Sequence, residues 1–287
     1  MKLLISFLIL LAAGANQFLA SAESSEPSLR PAGVAEKTGY QPGDSVVTIP
    51  AWVRALPDFC FAGIEGLRRV EFEEGSRCVS IGGHAFAECP DLREIALPAG
   101  LKQLGEGCFR ECCSLESLAI PEGVWVIPKE MALRCVSLRE ATIPPTVSDI
   151  KDSAFNGCVA LRDIPLPAAL RHIGANAFSD CASLQEVEVP DGVSQLESYA
   201  FSGCSHLRRA KLPDSFEALG ELIFSGCTSL GEIIAPAAAP PSFECESFLF
   251  DPDDEAAYGR CTLRVPARSE ASYRRSHGWD LFRNIKQ

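Results

Sequence analysis

The sequence predicts an α/β or mainly β repeat fold, a right-handed leucine-rich-repeat solenoid with one parallel strand per 23-residue repeat and a C-terminal strand-helix cap. Three observations predict it. Leu92, Leu115, Leu138, Leu161, Leu184, Leu207 and Leu230 lie 23 residues apart, and Pro98, Pro121, Pro144, Pro167, Pro190, Pro213 and Pro236 keep the same step. Cysteine keeps it at Cys89, Cys112, Cys135, Cys158, Cys181, Cys204 and Cys227. Phenylalanine keeps it at Phe86, Phe109, Phe155, Phe178, Phe201 and Phe224, with Ala132 in the one gap. A period of about 20–29 residues with leucines at strand spacing marks stacked units that bury their apolar sides against one another. Such an array displays one extended surface, so binding is the first functional expectation.

The elements follow in chain order. Residues 1–22 read as a secretory signal peptide: Lys2 precedes an apolar run from Leu3 to Ala13, and Ala20-Ser21-Ala22 supplies a small-x-small cleavage site. Residues 23–45 are rich in Ser, Pro and Glu and read as a flexible lead-in. The solenoid occupies residues 46–236 in about eight repeats, starting near Val46 and Pro50. In the repeat that begins at Leu138, Leu138, Ala141 and Ile143 alternate as inward strand residues, and Pro144 ends the strand by removing a ladder donor. Val147 and Ile150 form a second inward pair on the return path. Ala154 and Phe155 fill the interior, and Gly157 or its equivalents permit the sharp bend before Cys158. Phe61 and Phe86 are 25 apart, so the second repeat carries a small surface bulge.

Residues 237–287 form the cap. The run Ala237-Ala238-Ala239-Pro240-Pro241 breaks the period, a last strand spans Cys261 to Val265, and a helix spans Ser269 to Ser276. Trp279, Phe282 and Ile285 then cover the final rung, because an open sheet edge invites aggregation.

Thirteen cysteines in a secreted chain would ordinarily suggest disulfides. The periodic ones would instead stack with Cβ atoms about 4.8 Å apart, beyond the 3.5–4.5 Å a bridge prefers. They read as a reduced, buried ladder of small apolar groups, and Cys78 takes a core slot occupied elsewhere by valine. Cys60 and Cys108 share a phase but lie two rungs apart, too far to bridge; Cys245 and Cys261, both in the cap, are the one pair for which a disulfide stays open.

No catalytic motif is present. Gly105-Glu106-Gly107 lacks the third glycine of a dinucleotide loop, and there is no Walker sequence, zincin helix, nucleophile elbow or C-x-x-C. His84, His172, His206 and His277 fall at different phases of the repeat and read as scattered surface groups. Asp251, Asp253, Asp254 and Glu255 read as a solvated loop without the glycine and distal glutamate of a calcium site. No enzyme, cofactor or metal is therefore expected. The net charge of −12 repels phosphate backbones, which excludes nucleic acid as a natural partner, and no apolar run beyond the leader is long enough to span a membrane.

The informative surface is the outward side of the strands. Candidate binding residues there are Glu94, Glu140, Thr142, Asp163, Glu186, Glu188, Arg209 and Lys211. Ala96, Ala119, Thr142 and Pro165 leave a small, weakly polar centre flanked by charge, a composition that can receive a protein partner. Arg68, Arg93, Arg139, Arg162 and Arg208 form the preceding column, expected to neutralise the acids.

Units of the form SLxxVxIPxGVxxIGxxAFxxCxSL, and the tail CTLRVPARSEASYRRSHGWDLFRNI from Cys261 to Ile285, resemble the BspA-like leucine-rich repeats of bacterial and protist surface proteins. The resemblance implies a secreted or cell-surface interaction module, with adhesion to host matrix proteins or neighbouring cells as its role. A structural scaffold of the cell envelope or periplasm is the alternative. No wall-anchor or sorting motif is evident, so release into the medium is as open as tethering.

Overall fold

The structure is a computed structural model, described here for residues 40–214, 218–243 and 248–287. The leader and Cys245 lie outside those residues. The expected strand recurs along the chain as β1 (Val46–Ile49), β3 (Arg69–Phe72), β5 (Glu94–Ile95), β7 (Ser117–Ala119) and β9 (Glu140–Thr142). It continues through Asp163 as an isolated bridge to Glu140, then β12 (Glu186–Glu188), β14 (Arg209–Lys211) and β16 (Glu232–Ile234). They pair in parallel one repeat apart as β1-β3-β5, β7-β9 and β12-β14-β16, so Glu186, Arg209 and Glu232 lie side by side.

Each repeat also makes a second, two-residue strand, which the period alone does not announce. The proline carbonyl that ends the first strand accepts the amide three residues on, as in Val147 N–H to Pro144 O at 3.2 Å, and this turn launches the chain into a second ladder. Its strands are β2 (Ala55–Leu56), β4 (Ser80–Ile81), β6 (Gln103–Leu104), β8 (Val126–Ile127), β10 (Asp149–Ile150), β11 (His172–Ile173), β13 (Gln195–Leu196) and β15 (Ala218–Leu219). The inward pair Val147 and Ile150 therefore brackets a strand rather than an irregular return.

Phenylalanines stack along the interior. Phe61, Phe86 and Phe109 stand 5.3 and 5.9 Å apart, and Phe155, Phe178, Phe201 and Phe224 stand 5.4, 5.3 and 6.0 Å apart, all nearly parallel. Ala132 interrupts the stack, yet the preceding residue there is Met131 where neighbouring repeats carry Cys108 or Ala154, and both Met131 and Ala132 are fully buried. The repeat exchanges small–large for large–small and keeps its volume, which a close-packed interior requires.

The cysteine ladder is buried and every described cysteine is a free thiol. Each periodic Sγ–H donates to a main-chain carbonyl of the repeat before: Cys89 to Phe61 O at 3.1 Å, Cys135 to Phe109 O at 3.0 Å, Cys227 to Phe201 O at 3.1 Å. A residue small enough for the turn, and carrying one weak donor, suits this place better than alanine or serine. Cys113 alone among the described cysteines is exposed.

The bend before each periodic cysteine needs a left-handed backbone. Gly157 adopts it with φ of 73°, but so do Glu88, Glu111, Arg134 and Asp180 with φ of 57–58°. The bend is enforced by the next repeat, where Arg134 N–H reaches Asn156 O at 2.7 Å, and not by glycine alone. The expected bulge in the second repeat is present as an exposed turn at Glu73, Glu74 and Gly75.

The cap continues the first ladder through β17 (Thr262–Arg264) and β18 (Asn284–Lys286). Its helices are short: α1 (Glu255–Arg260) and α2 (Glu270–Tyr273), the latter half the length the sequence suggested. Asp251, Asp253 and Asp254 lie exposed in a turn, as expected of a solvated loop, and only Glu255 belongs to α1, whose start is capped where Asp254 Oδ1 accepts Ala257 N–H at 2.9 Å. Trp279, Phe282 and Ile285 are buried as expected. Tyr273 Oη and Trp279 Nε1 donate to Ala237 O and Pro241 O, each at 2.9 Å, so the Ala/Pro run supplies carbonyl acceptors to the cap's aromatic donors. Among the described residues no helix is long and apolar enough to cross a membrane.

Candidate functional site

Strand alternation sends every second residue of the first ladder outward, and the register aligns these residues in two exposed columns. One column runs Arg69, Glu94, Ser117, Glu140, Asp163, Glu186, Arg209, Glu232. The other carries Ala96, Ala119, Thr142, Pro165, Glu188 and Lys211. Ion pairs occupy the two ends of this face: Arg69 meets Glu94 at 3.1 Å and Arg209 meets Glu232 at 3.2 Å in the first column, and Lys211 meets Glu188 in the second. The Glu188 carboxylate beside it raises the pKa of Lys211. Between these ends, Glu140, Asp163 and Glu186 have no ion-pair partner among the described residues. Three successive rungs, about 4.8 Å apart, thus carry uncompensated carboxylates.

A groove of about 450 Å³ opens beside that stripe, lined by Asp163, Ile164, Pro165, Leu166, Glu186, Glu188, Arg209 and Lys211 among others. Pro165 lies in its wall. Lacking an N–H, it cannot donate to the preceding repeat as Ala96 N–H does to Val70 O, so pairing with β9 shrinks to the single bridge between Glu140 and Asp163, and among the described residues no ladder joins Asp163 to β12. Five of the eight sequence-derived candidates, Asp163, Glu186, Glu188, Arg209 and Lys211, line this groove; Glu94, Glu140 and Thr142 lie further along the same face.

The arginine column does not neutralise the acids. Arg68, Arg93, Arg139, Arg162 and Arg208 are exposed, and none lies within ion-pair distance of a described carboxylate. They precede the strand, at the corner where the chain enters the sheet, and the acids that are paired use in-strand partners instead.

The second ladder holds features the sequence did not single out. Trp125, 66% exposed, and Val126 stand at the rim of a groove of about 780 Å³ formed with Ser80, Gly82, Gln103 and Gly105. An aromatic anchor is thus absent from the first face but present on this one. His172 is not a scattered surface group: the register of β10, β11 and β13 sets it between Asp149 and Glu197, with Nε2 2.6 Å from Glu197 Oε1 and Nδ1 4.0 Å from Asp149 Oδ1. Burial raises the pKa of Asp149, but hydrogen bonds from Ser148 and Lys151 and nearby positive charge outweigh it and hold the carboxyl below its ordinary value. The Ser148 hydroxyl donates to Asp149 Oδ2 at 2.6 Å. Among the described residues, no group of three or more His, Cys, Asp or Glu could hold a metal ion.

Comparison with known proteins matches this architecture. No curated protein sequence matches the chain. A leucine-rich cell surface protein from Faecalibacterium prausnitzii superposes with a TM-score of 0.52 at 24% identity, over 87% of this chain and 80% of that one. A leucine-rich repeat protein from Bacteroides ovatus gives 0.52 at 21% identity, over 80% of this chain and 64% of that one. The model of the BspA type leucine rich repeat region matches residues 44–162 and 148–244, in six copies. With the 23-residue coil, the paired parallel ladders and this match spanning most of its length, the chain belongs to the BspA-type leucine-rich repeat family.

Proposed function

We propose that the protein is a non-enzymatic protein-interaction module, secreted or displayed at the cell surface, that contacts a host or neighbouring-cell protein through the first strand face. The observation that carries this reading is the stripe Glu140, Asp163 and Glu186, uncompensated on three adjacent rungs and bordered by the Pro165 groove. Charged groups left free on a rigid sheet are available to a partner without first breaking an internal pair, and they favour one with a basic surface. Export is supported by the leader-like residues 1–22 and by likeness in fold to a protein described as a cell surface protein. Adhesion is the role proposed, with basic extracellular-matrix proteins as the partner class.

The test measures binding of the chain lacking residues 1–22 to immobilised basic matrix proteins and, separately, to cell-envelope extract. Reversal of the stripe (Glu140→Lys, Asp163→Lys, Glu186→Lys) should weaken matrix binding at least tenfold while leaving stability within about 1.5 kcal/mol, since each exposed change costs within about 0.5 kcal/mol. Matrix binding should also weaken as salt rises. Capture by envelope extract alone supports a scaffold role instead. A variant that binds matrix protein as the parent does moves the interface to another surface, with the Trp125 groove first in line.

A further inference from the structure

The arginines that fail to neutralise the acidic stripe converge on a small site of their own. Arg162, Ser183, Gln185, His206 and Arg208 line a pocket of about 200 Å³ at the corner preceding the strands. The five residues come from three successive rungs whose main chains are hydrogen-bonded there, Gln185 N–H to Arg162 O at 3.4 Å and Arg208 N–H to Gln185 O at 2.8 Å. No carboxylate lines the pocket, although acids outnumber bases by 38 to 26 in the chain and Asp163 immediately follows Arg162. The guanidinium groups of Arg162 and Arg208, the Ser183 hydroxyl and the Gln185 amide have no hydrogen-bond partner among the described residues. The His206 imidazole is oriented by its Nδ1, 2.8 Å from Ala182 O; a carbonyl only accepts, so this nitrogen carries the proton.

We infer that this pocket binds a single oxyanion group, a phosphate or sulfate monoester carried on an otherwise uncharged molecule. Two guanidinium forks supply planar, charge-assisted donors suited to such a group, and the serine and glutamine add neutral ones. The volume lies below the roughly 300–1,000 Å³ of whole-ligand clefts, so it takes a headgroup and not an entire small molecule. The net charge of −12 opposes a long polyanion, whose further charges would meet the acidic columns next door. The same pattern does not recur earlier along the arginine column: beside Arg68 and Arg93 stands Asp91, already accepting Gly66 N–H at 2.8 Å, and Glu116 separates Arg93 from Arg139. The site is separate from the proposed protein face and does not depend on it.

Titration of the purified chain with inorganic phosphate and with inorganic sulfate, followed by amide chemical shifts, tests this assignment. Saturable shifts at Ser183, Gln185 and His206 with a dissociation constant of about 1 mM are expected, a strength that a few charge-assisted contacts support. Arg162→Gln and Arg208→Gln should each weaken binding at least tenfold, whereas Arg139→Gln, one rung outside the pocket, should leave it unchanged. Tighter binding of phosphate than of sulfate at equal ionic strength points to a phosphate monoester as the natural group, and the reverse order to a sulfate ester. Absence of saturable shifts with either ion overturns the assignment. So does equal loss in all three variants, which would show column charge and not a pocket, or tighter binding of heparin, which would show a polyanion surface.

Discussion

Raising the pH should destabilise this protein through its buried thiols. Cys60, Cys78, Cys108, Cys112, Cys135, Cys158, Cys181, Cys204 and Cys261 all hold pKa values above the ordinary 9.0, with Cys60, Cys158 and Cys261 pushed up to about 12. Burial is the leading cause, except at Cys204, where the hydrogen bond with Cys227 comes first. The sign follows from proton counting. Above about pH 9 the unfolded chain loses thiol protons that the folded chain keeps, so the unfolded state binds fewer protons and stability falls as pH rises. It is fully present below about pH 8 and is lost through the window from about 9 toward 12. Between pH 9 and 10 each thiol held near 12 (Cys60, Cys158 and Cys261) costs about 1 kcal/mol, about 3 kcal/mol for the three, a large share of the 5–15 kcal/mol of a typical domain, and the other raised thiols act in the same direction. Urea unfolding followed by circular dichroism at steps from about pH 8 to 10.5 should show stability falling by at least about 3 kcal/mol between pH 9 and 10. Cys158→Ala with Cys181→Ala should be less stable at neutral pH, yet lose at least about 1 kcal/mol less between pH 9 and 10. A stability that stays flat across this range, or a slope the double variant leaves unchanged, would refute the reasoning.

Other expectations concern the same core and its end. A thiol reagent should modify Cys113 quickly in the native protein and the buried cysteines only on denaturation, and Cys113→Ser should remove one equivalent of the fast phase; a fast phase of unchanged amplitude contradicts this. Met131→Ala leaves two alanines where neighbouring repeats pair a small residue with phenylalanine, and should cost about 2–5 kcal/mol. Adding Ala132→Phe should recover most of that loss, and failure to recover would show that the repeat does not tolerate the ordinary order. Deleting residues 261–287 removes Trp279 and Phe282, whose truncation costs about 3–5 kcal/mol each. It also bares the edge of β16, so the shortened chain should fray from that end and self-associate. A truncated chain that melts like the parent and stays monomeric in sedimentation would contradict the capping role.

The 23-residue step by itself determined which residues face inward, because a solenoid stacks equivalent positions and any periodic apolar residue must meet its own copy. That is why Leu138, Phe155 and Cys158 were readable as core, and why the cysteines were readable as a ladder without bridges. The same periodicity hid what depends on pairs of residues or on backbone pairing. A single gap at Ala132 looks like a defect until Met131 is seen filling the same space. Glu111 and Arg134 look like ordinary polar residues, and only the hydrogen bonds from the next repeat explain their left-handed backbone. The outward columns were legible from strand alternation, but not which charges neutralise which, since ion pairing depends on where each side chain leaves the sheet. Tertiary structure decided that the paired charges flank a free acidic stripe, that a groove walled in part by Pro165 lies beside it, and that Arg162 and Arg208 stay unpaired around a pocket. It also placed His172 between Asp149 and Glu197, on a second ladder that arises because a proline-initiated turn brings two more residues of each repeat into register with the next.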